Sequence, residues 1–259
     1  MSTRLETVIY RNPAADREYF VHRLSTPDIN LYAARKVLEL LEASLAFQLE
    51  TPAFKGPDGV LPAGTMKERF ARLRDANLQQ MDRMNRSLNR GGAYWYINPE
   101  EDNPTDRSFY SSDEGYVAGL IKTSPSRVSR AQRLRLQAPN CYVNDIVVDP
   151  KAKSTTVAGA KQRIGSMLMH AALKFGDYQP RAKLTIDGYI GDEAANDWFG
   201  RLGLQQDPTV DLAGWAASDA ITLAQVRFTS PPNCSIRNHV QALEGSAAWL
   251  GQARLVVTT

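Results

Sequence analysis

The sequence is poor in cysteine, with only Cys141 and Cys234 among 259 residues and no CxxC spacing. That excludes a disulfide-dense secreted scaffold and a tetrathiolate metal site, and it leads to an expectation of reduced thiols in a cytoplasmic protein. Histidine is nearly as scarce, at three. His22 and His239 have no Cys, His or Asp partner at ligand spacing, so no metal is expected. No apolar run reaches the roughly 18 residues of a membrane span, and "MSTRLETVIYRNP" lacks the apolar centre of a signal peptide. Internal repeats and low-complexity tracts are missing. So are the familiar phosphate loops: counting on from Gly159 lands on Ile164 where a Walker A loop needs Gly-Lys, and no GxGxxG follows a strand. A Ser-His-Asp or Cys-His hydrolase site has no local signature.

What is present is ordinary for a globular chain: 43% hydrophobic, 23% charged, net charge +3. The length allows a substantial core in one large or two small domains. Residues 8–10 form a short strand signal. Helical spacing of apolar residues follows over 29–48, then a Pro- and Gly-rich loop over 51–64. A second helix pattern covers 65–89, opened by Thr65 with Glu68 as a capping box and closed by Gly91-Gly92. Its basic surplus fits a solvated face or an anionic partner. Strand-like runs stand at 93–98, 115–123, 141–149, 181–190 and 220–228. Helices are expected at 161–176, 193–201 and near 235–243. The arginine-rich stretch 127–137 carries no acid. Strands interleaved with helices place the chain in the α/β or α+β class.

The stretch "STTVAGAKQRIGSMLMHAALKFG" (154–176) carries the functional question. Ile164, Met167, Leu168, Ala171, Ala172 and Phe175 form one apolar stripe, which predicts a helix lying on a sheet. His170 falls off that stripe and reads as a helix-flank residue. A helix start offers unpaired N–H groups and partial positive charge to an anion, Gly165 allows close approach, and Lys161 and Arg163 add charge. A plain loop feeding a buried helix reads equally well.

"NDIVVDP" followed by "QRIGSMLMHAALKFG" resembles the central part of the GCN5-related N-acetyltransferase (GNAT) family. There, a strand of form L-x-V-x-P feeds a loop of form R/Q-x-x-G-x-G/A that cradles the pyrophosphate of acetyl-CoA. Ile146, Val148 and Pro150 match the strand, and Gly165 the last Gly/Ala. "AANDWFGRLGL" (194–204) is similar to the family's A-x-x-F-Y-x-x-L-G-F, with Ala195, Trp198, Leu202, Gly203 and Leu204 in place. Ala160 stands where Arg or Gln is expected, Arg163 where the first Gly is expected, and Phe199 where a Tyr commonly protonates the leaving thiolate.

The resemblance implies a GNAT-like mixed, mostly antiparallel twisted sheet flanked by helices, with a splayed central strand pair. It implies one domain over 1–230, comprising an N-terminal strand and two helices (1–92) and a sheet core with the cofactor loop (93–230). Residues 231–259 would be a C-terminal extension that completes the sheet, docks on a subunit or closes the cleft. Acetyl-CoA would be the cosubstrate, without metal, and a primary amine the acceptor. Cofactor contacts would come from Ile146, Val147, Val148, Ala160, Lys161, Gln162, Arg163, Ile164, Gly165 and Ser166. A backbone N–H near Val147 or Val148 would polarise the thioester. Asp145 would be the general base, against the alternative that it only hydrogen-bonds a loop. Another donor, for example Tyr189 or Cys141, would replace the missing Tyr, or water would protonate the thiolate. The rival expectation is a degenerate GNAT-fold binding module for nucleic acid or an acidic protein.

Overall fold

The fold is given by a computed structural model that describes residues 5–24, 93–98, 118–125, 140–149, 156–157, 160–189, 193–207 and 225–258. The helices expected over 29–48 and 65–89, the loop 51–64 and the tract 127–137 lie outside the described residues.

Leu5–Asn12 (β1) and Arg17–Leu24 (β2) form an antiparallel hairpin. Only residues 8–10 of it were expected. β2 escapes a periodicity reading because Tyr19, Phe20, Val21 and His22 are all buried, so the strand does not alternate between core and water. Ala93–Asn98 (β3), Gly119–Pro125 (β4) and Cys141–Val148 (β5) continue the sheet antiparallel. Leu184–Tyr189 (β8) joins β5 in parallel, and Gln225–Thr229 (β10) and Gln205–Gln206 (β9) complete that side. Arg254–Thr258 (β11) pairs with β1, from Leu5↔Thr258 to Ile9↔Arg254. The order is β11-β1-β2-β3-β4-β5-β8-β10-β9. The short strands Thr156–Val157 (β6) and Ala160–Lys161 (β7) pair separately.

Helix α1 (Ile164–Lys174) crosses one face of the sheet. Its stripe of Ile164, Met167, Leu168, Ala171 and Ala172 is buried as the spacing predicts. The helix is shorter than 161–176 because Lys161 is in a strand and Arg163 is left-handed, with φ of 59°. A Cβ on Gly119 would sit 2.9 Å from Leu168 Cδ1, 2.9 Å from the Val147 carbonyl oxygen and 3.0 Å from Ile164 Cγ2. The helix therefore rests directly on the backbone of β4. Helix α2 (Glu193–Arg201) packs on β8, and helix α3 (Ile236–Ser246) packs on α1. Among the described residues, no helix is long and apolar enough to cross a membrane.

His170 is not a helix-flank residue, because α3 covers its side of α1 and buries it completely. Its Nδ1 lies 2.8 Å from the Tyr10 hydroxyl and its Nε2 3.1 Å from Glu244, which also accepts from Lys174 at 2.7 Å. The other two histidines are also buried. His22 Nδ1 bonds Thr7 Oγ1 at 2.9 Å. His239 donates from Nδ1 to the Leu202 carbonyl at 2.7 Å and accepts the Ser230 hydroxyl at Nε2, also at 2.7 Å.

Two predictions follow from this packing. Gly119→Ala pushes β4 and α1 apart against a backbone oxygen and lowers stability by about 1–3 kcal/mol, read as a reduced urea midpoint at unchanged slope. Burial lowers the pKa of all three histidines, His22 to about 3. The unfolded chain then binds more protons than the folded one below about pH 6.5, so stability falls with pH from that point down towards 3. A urea midpoint no lower at pH 5.5 than at pH 7.5 contradicts this.

Candidate functional site

β5 and β8 are paired only at Cys141↔Leu184, Tyr142↔Thr185 and Val143↔Ile186. Beyond these residues the two strands part, while β5 stays paired with β4 as far as Gly119↔Val148. The register on that side runs Lys122↔Asp145 and then Thr123↔Val143, which makes Asn144 an extra residue in a β-bulge. A bulge bends its strand and adds twist, and here it falls where β8 lets go.

The bulge also decides which backbone groups face the gap. The Asp149 N–H bonds the Ala118 carbonyl at 2.8 Å, on the β4 side. Alternation turns the Val147 N–H towards β4 as well, and turns those of Ile146 and Val148 into the gap. Of the two donors the sequence suggested, Val148 faces the gap and Val147 does not. The side chains of Ile146 and Val148 pack against the same core cluster as Cys141 and Val143, because the extra residue restores the face on which they point.

Helix α1 begins at the mouth of this gap. A Cβ at Gly165 would lie 3.7 Å from Val148 Cγ2 and 3.9 Å from Trp198 Cη2. These are ordinary contacts, so packing within the chain does not demand glycine there. The first helical hydrogen bond runs from the Met167 N–H to the Arg163 carbonyl at 3.1 Å, and the N–H groups of Ile164, Gly165 and Ser166 have no carbonyl one turn earlier. No side chain caps the helix and no acid stands in its first turn. Lys161 and Arg163 are exposed; Arg163 makes a 3.4 Å contact with Ser246 Oγ. Gln162 is buried and accepts a 3.3 Å hydrogen bond from the Tyr19 hydroxyl, tying the turn to β2. The loop between strand and helix is shortened by the pairing Thr156↔Lys161 and Val157↔Ala160, an element no sequence signal announced.

Asp145 stands opposite Lys122, on the edge of the bulge; its side chain, and those of Ala160 and Tyr189, lie outside the described residues. Phe199 is buried against Phe228, with ring centroids 5.3 Å apart, and offers no proton. Cys141 faces the core, where burial pushes its thiol up to about 12. Neither Phe199 nor Cys141 therefore takes the role of the missing Tyr.

Sequence reasoning missed a polar cluster at the same place. Tyr142 on β5 donates its hydroxyl to Asp187 on β8, and Arg227 on β10 grips Asp187 with two bonds, Nε to Oδ1 at 2.7 Å and Nη2 to Oδ2 at 2.9 Å. No local signal marks it: each of the three alternates with its neighbours ("CYV", "IDG", "VRF") as an outward position of a half-exposed strand does, and only the order β5-β8-β10 brings them together. Cys234, His239 and Ser230 also meet, with Cys234 Sγ 3.5 Å from His239 Nε2. Among the described residues no group of three or more His, Cys, Asp or Glu gathers as a metal site.

No protein-family model matches the chain, and no curated protein matches it. Solved structures do. An uncharacterized protein from Bacillus halodurans is 9% identical over 93% of this chain and 97% of its own, with a TM-score of 0.51. An acetyltransferase of the GNAT family from Staphylococcus aureus Mu50 is 11% identical over 81% of this chain and 98% of its own, at 0.46. A GNAT-family acetyltransferase from Bacillus cereus ATCC 10987 is 9% identical over 81% of this chain and 94% of its own, at 0.39. The two lower scores carry no argument, and the first speaks for fold only. The fold is a mixed, mostly antiparallel sheet flanked by helices, with β5 and β8 as its parallel pair among the described residues.

Proposed function

We propose that the chain is an acyl-CoA-dependent N-acetyltransferase that moves acetyl from acetyl-CoA to a primary amine. The observation that carries this reading is the gap between β5 and β8, edged by unpaired backbone N–H groups and opening onto the uncapped start of α1. An extended amide chain fits such a strand edge, because Ile146 and Val148 offer it the hydrogen bonds that β8 no longer takes. A pyrophosphate fits the helix start, where the N–H groups of Ile164, Gly165 and Ser166, the partial positive charge and the exposed Lys161 and Arg163 converge. The space beside Gly165 leaves room for a phosphate oxygen to approach the backbone.

The thioester supplies an activated acyl carbon. The amine, once neutral, attacks that carbon, the C–S bond breaks, and the thiolate leaves. The Val148 N–H in the gap is the donor for the negative charge that develops on the carbonyl oxygen. Asp145, beside the bulge, takes the proton released by the amine, directly or through water. Phe199 cannot donate the proton that the thiolate needs, so in this reading water delivers it.

Three measurements test the proposal. Acetyl-CoA at ~100 times its Kd adds roughly 2.7 kcal/mol, raising the unfolding temperature by at least about 2 °C; no shift at any concentration sinks the reading. Reversing both exposed charges, Lys161→Glu with Arg163→Glu, leaves the unliganded unfolding temperature in place and weakens acetyl-CoA binding at least about tenfold. Asp145→Asn lowers kcat by roughly 10²–10⁴ while acetyl-CoA binding is unchanged.

A further inference from the structure

We propose that Arg227, held by Asp187 and Tyr142, binds a carboxylate on the acceptor, so that the amine substrate is an amino acid or another amine with a carboxylate close to its nitrogen. This rests on the acetyltransferase reading for the place of the amine, and on the following geometry for the place of the anion.

Asp187 is the residue after Ile186, the last point at which β8 touches β5, so it stands where the gap opens. Arg227 is its register partner on β10. Leu184, Ile186, Val226 and Phe228 are buried in the core cluster under the helices, and alternation puts Asp187 and Arg227 on the opposite face together with Tyr142. A group gripped there lies on the far side of the sheet from α1, where a second substrate reaches the acyl carbon without crossing the cosubstrate.

The three side chains divide their labour unevenly. Both oxygens of Asp187 are taken, Oδ1 by Arg227 and Oδ2 by Arg227 and Tyr142. The Asp187 side chain is only 10% exposed, against 27% for Arg227. A guanidinium has five N–H donors, and two are committed to Asp187. The Tyr142 hydroxyl oxygen takes a third, which leaves part of the fork for a ligand. The Tyr142 ring lies 5.9 Å from the guanidinium carbon and supports it from the β5 side. Three strands thus contribute one side chain each to fixing a single cation, while the carboxylate that fixes it is closed to any ligand.

A planar fork with unused donors suits a carboxylate, which it meets with two parallel hydrogen bonds. Neighbouring strands lie about 4.8 Å apart, and Arg227 stands one strand beyond the β8 edge of the gap, so one small molecule carries both the anion and the amine. Asp187 and Tyr142 are positioning residues in this scheme, and Arg227 is the binding residue.

The test uses the full chain and pairs of amines that differ only in the carboxylate: phenylalanine with phenethylamine, lysine with cadaverine, and β-alanine with ethylamine, plus phosphoethanolamine as a phosphate arm. Binding is read by calorimetry and turnover by release of the CoA thiol. The carboxylated members bind about 10- to 100-fold more tightly. Arg227→Lys, which keeps the charge but not the fork, loses most of that preference. The double variant Asp187→Asn/Arg227→Gln, which leaves a neutral pair in place of an orphaned charge, loses it fully, and in both variants KM for acetyl-CoA stays constant. Equal binding within pairs, no binding of any amine, a preference for phosphoethanolamine over β-alanine, or discrimination retained in both variants overturns the proposal. Because the calorimetry needs no transfer, a carboxylate preference that depends on Arg227 without any acetyl-CoA shift would instead sink the acetyltransferase reading and leave the anion site standing.

Discussion

The descent of α1 onto the bare backbone of β4 at Gly119 is the constraint from which the rest of the arrangement follows. With no side chain between them, Ile164 and Leu168 reach the level of the Val147 carbonyl, and the first turn of the helix is carried to the end of β5. A residue of any other kind would raise the helix and draw its N–H groups away from the gap. The bulge at Asn144 supplies the second half of the geometry by turning the far part of β5 while returning its apolar side chains to the core. Packing at one strand and irregularity in the next together place a helix dipole at a strand edge.

Polar groups, buried at Tyr10, His170, His239 and Ser230 and reaching the surface at Glu244 and Lys174, then lock the layers. Tyr10, His170, Glu244 and Lys174 form one chain of hydrogen bonds from β1 through α1 to α3, and His239 joins α3 to the turn after α2 and to Ser230 beyond β10. Groups of this kind cost free energy unless paired, so each fixes the relative position of the elements it connects. The core is apolar between strands and helices, and its polar contacts sit where one element must meet another at a single angle.

The parts of this architecture legible in the sequence are those encoded by local period. The strand over 141–149 is read from its apolar, β-branched run and the stripe of α1 from its spacing, the helix over 193–201 is also expected, and the GNAT resemblance of those segments anticipated the parted strand pair. What escaped is set by residues far apart in the chain. β2 is buried on both faces and so shows no alternation. His170 looks like a solvent-side position until α3, some seventy residues on, covers it. The bulge is invisible because nothing local distinguishes Asn144 from its neighbours, yet it turns the N–H of Val148, and not that of Val147, towards the gap. Tyr142, Asp187 and Arg227 each look like a surface residue of a half-exposed strand, and become a cluster only through the order β5-β8-β10.

The pairing of β11 with β1 bears on how such a chain acquires its structure. Leu5 finds Thr258 across almost the whole sequence, and closing a loop of that size is entropically costly before any contact is gained. The hairpin of β1 and β2 can form from adjacent residues, but one side of β1 waits for the last strand. During synthesis that side is an open row of backbone donors and acceptors, available to any other strand in its neighbourhood. The final strand therefore acts as a seal, and the vulnerable interval in the life of the molecule lies before the seal arrives.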